Sequence, residues 1–153
     1  MNYEELLIEA DNAGLIVKEK NLVYNDGRLR GKCIAIRKNI PTLVKKACVL
    51  AEEIGHYHTT EIDILDQSSV ANKKLERAGR VWAYDKQIGL LGIIQGYRAR
   101  CQNLHELAEY LEVTEDFLLE ALKCYKEKHG IMAKIDGYTI IFEPSLAVVE
   151  SIK

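Results

Sequence analysis

Residues Val49-Leu50-Ala51-Glu52-Glu53-Ile54-Gly55-His56-Tyr57 decide how this chain is read. Leu43, Ala47, Leu50 and Ile54 recur at helical spacing into this stretch, which predicts a helix running to about His56. Pro41 suits the first turn of that helix, where a missing N–H costs nothing. Asn39 or Ile40 is the expected cap, and Asn is the better capping residue. On such a helix Glu52 and His56 lie one turn apart on the same face. Glu53 lies about 100° further around.

Working outward, residues 3–13 read as a short amphipathic helix with Leu6, Leu7 and Ala10 on one face, stopped by Gly14. Residues 15–18 and 30–38 read as strands, and Asn25-Asp26-Gly27 as a turn between them. Residues 58–71 are polar and irregular. A second strong helix is expected over about 73–90, capped by Asn72, with Trp82 in its core face. Gly92 and Gly96 loosen the next stretch, and a helix pair follows over 103–112 and 115–128, closed by Gly130. Residues 137–143 read as a late strand. The whole is an α+β pattern, divided as a core over 1–97 and a C-terminal helical subdomain over 98–153, packed as one compact unit.

Hydrophobic residues make up 48% and charged residues 29%, which excludes disorder as the main state. The 153 residues contain no apolar run near the roughly 20 needed to span a bilayer, and no membrane role is expected. The first residues lack a basic segment before an apolar one, so no secretory signal is read there, and the expected compartment is the cytoplasm. Cys33, Cys48, Cys101 and Cys124 are too far apart for a CxxC pair and are read as free thiols, Cys33 and Cys48 as buried packing residues. The net charge of −2 gives no global attraction to nucleic acid.

The chemistry rests on Glu52-Glu53-Ile54-Gly55-His56. In the HExxH pattern two ligands four residues apart face one zinc ion and the intervening Glu is the general base. Here Glu52 and His56 take the ligand positions and Glu53 the base position. A carboxylate oxygen and an imidazole nitrogen so spaced reach one ion at about 2.0–2.2 Å. By themselves Glu and His at this spacing more often form a solvated surface pair. A third ligand is required, and Glu76 on the next helix can supply it; as an isolated residue it reads equally as an exposed carboxylate.

Three stretches together resemble the ImmA/IrrE metallopeptidase family: Val49–Tyr57, Asp63-Ile64-Leu65-Asp66-Gln67, and Glu76 with Trp82-Ala83-Tyr84. The chain is most similar to the branch of phages and mobile elements of Gram-positive bacteria that carries Glu in place of the first His, and the similarity covers about residues 15–128. The resemblance implies a zincin-like peptidase core, a small sheet with two active-site helices. It implies a metal held by Glu52, His56 and Glu76, with Glu53 as base, and cleavage of a repressor protein that relieves repression. The ion implied is Zn2+, with Mn2+ or another divalent metal favoured by a carboxylate-rich set.

Around this group Tyr57 is either an oxyanion donor or a packing residue. Asp63 and Asp66 either orient His56 or cap loop backbone groups. His58 reads as loop-exposed, with a ligand role if the helix stops at Gly55, and His105 and His129 have no evident partner. The 104–128 pair imitates a helix-turn-helix with Ala108, Leu111, Val113 and Phe117 as its core. Its second helix starts at Thr114-Glu115-Asp116, whose carboxylates phosphates repel, so direct DNA binding is not expected and a protein-recognition role is. The competing class of function is a non-catalytic module that binds a repressor without cutting it, or a DNA-contacting regulator.

Overall fold

A computed structural model describes residues 1–60 and 69–151 as six helices and two three-stranded sheets, an α+β chain. The elements are α1 (Tyr3–Asn12), β1 (Ile16–Lys20), β2 (Gly27–Arg30), β3 (Cys33–Arg37), α2 (Leu43–Thr59), α3 (Ser69–Gln87), α4 (Gly89–Arg98), α5 (Leu104–Leu111), α6 (Glu115–His129), β4 (Met132–Ile135), β5 (Tyr138–Ile141) and β6 (Ala147–Glu150). They fall into two compact units, Met1–Lys86 and Gln87–Lys153. The division precedes α4, whereas the sequence pattern places it after residue 97. Ile93 and Ile94 of α4 are buried, and α4 packs on α5 and β5, which ties it to the second unit.

In the first unit the strand order is β1-β3-β2, with β1 parallel and β2 antiparallel to β3. Ile34 and Ile36 of β3 point into the core, while Cys33 is exposed. This corrects the expectation of a buried Cys33; strand alternation puts it on the face opposite Ile34. Strand β2 reads in the sequence only as turn and flank, because Gly27-Arg28-Leu29-Arg30 shows almost no apolar alternation.

Helix α2 lies against α1, β2 and β3 and buries Ala47, Cys48, Leu50, Ala51, Ile54 and Gly55. Its cap is Thr42, whose side chain accepts from Lys45 N at 3.1 Å, so Pro41 precedes the helix and Asn39 and Ile40 are not caps. The helix continues past Gly55 and His56 to Thr59. Helix α3 starts before Asn72, which therefore sits inside it rather than at its cap, and ends at Gln87. An ion pair between Lys86 and Glu9 ties α3 to α1, beside the buried Ala83 and Tyr84.

Helices α2 and α3 touch backbone to backbone. A Cβ on Gly55 would collide with the Gly79 carbonyl oxygen and stand 3.1 Å from Trp82 Cε3. A Cβ on Gly79 would collide with the His56 ring, 2.7 Å from its Cε1. No larger residue fits at Gly55 without moving one helix away from the other, and at Gly79 the His56 ring would have to turn aside.

In the second unit α5 and α6 are capped by Asn103 and Thr114, and Glu112 joins them in a left-handed conformation at φ 58°. Ala108, Leu111, Val113 and Phe117 are buried, as the helix-pair reading required. Helix α4 is regular through Gly92 and Gly96, because these glycines admit the side chains of Leu111 and Leu107 of α5. Strands β4, β5 and β6 form an antiparallel meander, of which only β5 is legible in the sequence. No helix among the described residues is long and apolar enough to cross a membrane.

The glycine contact gives a sharp expectation. An exposed helical Gly→Ala normally gains up to about 1 kcal/mol. Gly55→Ala should instead lose about 1–3 kcal/mol of unfolding free energy in denaturant titration, as overpacking does. A stabilised Gly55→Ala variant would show that the helices do not meet there.

Candidate active site

Glu52, Glu53 and His56 occupy the half-buried flank of α2, and Glu76 approaches from α3. Gly27 of β2 forms the other wall. A Cβ there would stand 2.7 Å from Val49 Cγ1, 2.9 Å from Glu53 Cγ and 3.0 Å from Glu53 Oε1. The β2 backbone therefore rests directly on the Glu53 side chain, and only glycine allows it.

These placements fix the charges. Burial pushes the Glu53 carboxyl up from its ordinary 4.5 to about 7, and the nearby charges of Glu52 and Glu76 push in the same direction. Glu52 is also raised, first by burial, and then by Asp26 and Glu76, against the opposing pull of Arg80. Asp26 is itself anchored to Arg37 at 3.3 Å and Lys45 at 3.8 Å. Burial lowers His56, Glu76 favours its charged form, and Arg80 disfavours it. The backbone of Leu75, one turn before Gly79, also favours the charged form of His56.

The chemistry of Glu52, His56 and Glu76 suits a divalent ion, with two carboxylates and one imidazole. Their arrangement fits only in part. Among the described residues no group of three His, Cys, Asp or Glu side chains is placed to hold a metal ion. Glu76 has a side chain 67% exposed, with its Oε2 4.0 Å from Arg80 Nη2 on the same helix.

The neighbouring candidates divide. Tyr57 is half-buried with its ring 5.4 Å from that of His58 in an edge-on contact. His58 lies on the last turn of α2, not in a loop, and its ring sits 5.0 Å from that of Trp82. Trp82 is half-buried rather than enclosed in the core. Asp63 and Asp66 lie outside the described residues. His105, for which the sequence offers no partner, bonds Glu115 at 2.7 Å and Glu109 at 3.1 Å, contacts that raise its pKa, the Glu115 hydrogen bond foremost.

Three participants escape a reading of the sequence: Arg80, Gly79 and the Asp26-Gly27 wall. Arg80 follows Glu76 by four residues, a spacing that pairs charges on a helix. Gly55 and Gly79 interrupt otherwise helical patterns, and an interior helical glycine signals close approach.

Comparison with protein-family models, with curated proteins and with solved structures yields no match to this chain.

The raised Glu53 pKa makes a prediction with a definite sign. The folded chain holds the Glu53 proton more tightly than the unfolded chain, so protonation favours folding. Stability from this group is present below pH 4.5 and is lost as pH rises through about 7. Glu53→Gln removes the ionisation. In metal-free protein it should be more stable than wild type by about 1–2 kcal/mol at pH 8, after allowance for solvent screening, with the difference closing toward pH 4.5. Urea titrations across that range measure it; a pH-independent difference would contradict the assigned environment.

Proposed function

We propose that the chain is a metal-dependent endopeptidase of the ImmA/IrrE type with a zincin-like core, acting in the cytoplasm on a repressor protein of a phage or mobile element. The observation that carries this reading is Glu53. A carboxyl raised to about 7 sits on the helix that presents Glu52 and His56, under the edge of β2. A general base is most effective when its pKa lies near the working pH.

The chain's own residues divide the work. Glu52, His56 and Glu76 would hold the ion, and the ion supplies polarisation of the scissile carbonyl and a more acidic water. Glu53, ionised above about pH 7, takes the proton of the attacking water and delivers it to the leaving amine. The Gly79 backbone, against which the His56 ring lies, limits how that ring can turn. Strand β2 is an edge of its sheet, and an extended peptide can add to such an edge beside Glu53.

The repressor is read as the partner because of the resemblance and of the second unit. The exposed start of α6 carries Glu115 and Asp116, which disfavours contact with phosphates. Beside it a broad groove of about 1040 Å³ is lined by apolar side chains including Leu104, Leu107, Leu119, Leu122 and Phe142, which suits a protein surface. A second reading, a module that binds the repressor without cutting it, is favoured by one feature, the engagement of Glu76 by Arg80.

Incubation with a candidate repressor in the presence of Zn2+ or Mn2+, followed by gel analysis, separates the two. Wild type should cleave, Glu53→Gln should bind the repressor and be slower by at least about 100-fold, and His56→Ala should lose the roughly one ion per chain that wild type takes up. Equal cleavage by wild type and Glu53→Gln removes the base. Tight binding with no cleavage by either supports the second reading.

A further inference from the structure

The sheet of the first unit has one face turned to the core and one turned away, and the outer one is basic. Ile34 and Ile36 are buried on the inner face, where Gly27 meets Val49 and Glu53 of α2. Strand alternation puts the intervening residues on the outer face. Pairing then sets them in rows. Lys18, Ala35 and Arg28 stand side by side across β1, β3 and β2. Ile16, Cys33 and Arg30 form the next row in one direction, and Lys20 beside Arg37 the next in the other. Such rows lie about 6.6–6.8 Å apart and neighbouring strands about 4.8 Å apart, so the charges form a regular array.

The array is not neutralised. Lys18, Lys20, Arg28 and Arg30 are exposed, and none has an ion-pair partner among the described residues. Arg37 pairs with Asp26 at 3.3 Å, but Asp26 is shared with Lys45 at 3.8 Å. Glu19, the acidic residue of these strands, belongs to the inner face, in register with Ile36, and is paired with Lys46 of α2. The net charge of −2 therefore conceals a surface on which every charged strand residue is a cation.

The layout selects the partner. Protein interfaces keep charges away from their centre and place apolar or aromatic anchors there. Here the central row is Lys18 and Arg28 around the small Ala35. A bilayer surface asks for an apolar face as well as cations, and Ile16 is the large apolar side chain on this one. Nucleic acid needs neither, because its phosphates bind cations with release of condensed counterions. A flat three-stranded face enters no groove, so its contacts are to the backbone and carry no sequence information.

We propose that the outer face of the β1-β3-β2 sheet is a nucleic-acid-binding surface, on which Lys18, Lys20, Arg28 and Arg30 contact backbone phosphates without reading sequence. It stands apart from the candidate site on α2, and from the acidic start of α6, which belongs to the other unit.

The test is fluorescence anisotropy of the full chain with labelled oligothymidylate of about 20 nucleotides and with a mixed-sequence duplex of about 20 base pairs. Wild type should bind at least one of them with a micromolar Kd at low salt, and log affinity should fall against log salt with a slope of about −3, as four phosphate contacts give. Arg28→Gln with Arg30→Gln, and separately Lys18→Gln with Lys20→Gln, should each weaken binding at least about tenfold and flatten the slope by about 1.4–1.8. Lys128→Gln with Lys134→Gln makes the same change in net charge on the second unit and should bind within about twofold of wild type. Circular dichroism confirms folding, and because the two sheet pairs lie on different strands, either one alone carries the test. No binding to either nucleic acid overturns the proposal. So does an equal loss in the control pair, or no loss in the sheet variants. Tighter binding to polyglutamate or to phosphatidylserine vesicles than to both nucleic acids would assign the face to an acidic protein or a membrane instead.

Discussion

The contact between Gly55 of α2 and Gly79 of α3 is the constraint on which the candidate site depends. Two helices that meet through side chains stand about 8–10 Å apart. Here the missing side chains let the backbones close in, and the His56 ring fills the space over Gly79. That closeness puts Glu76 and Arg80 within electrostatic range of α2. Gly27 repeats the device on the other side, where the β2 backbone rests on Glu53. Small residues at three points thus press a strand and a helix onto one turn of α2.

The consequence is electrostatic. Glu52 and Glu53 are half-buried side by side on α2, with the exposed Glu76 near enough to add its charge. The response is uneven. Glu53, buried and pressed by β2, carries the large upward shift. Glu52 is relieved in part by Arg80, and Glu76 pairs with it. Two neighbouring carboxylates on one helix are thereby both inclined to hold a proton, Glu53 the more strongly.

How much of this is legible in the sequence follows from the kind of signal each feature leaves. Helix α2 is legible because Ala47, Leu50 and Ile54 recur at helical spacing, and β3 because Ile34 and Ile36 alternate with smaller or polar residues. The Glu52, Glu53 and His56 spacing is visible for the same reason, since one helix sets it. What crosses between elements is not. Strand β2 has little apolar pattern and owes its place to pairing with β3. Thr42 takes the cap from Asn39 because the helix begins after Pro41, and α3 runs back through Asn72, whose local cap signal does not start it. Arg80 looks like an ordinary surface cation until the glycine crossing turns its helix toward the site. Asp63 and Asp66 fall outside the described residues.

The central claim is that the fold holds Glu53 as a base poised near neutral pH. The most direct measurement is a pH titration of the Glu53 side-chain carboxyl carbon by NMR in the metal-free full chain. The account predicts an inflection at about 7. An inflection at the ordinary 4.5 would contradict it, because Glu53 would then be a solvated carboxylate with neither burial nor like charges acting on it.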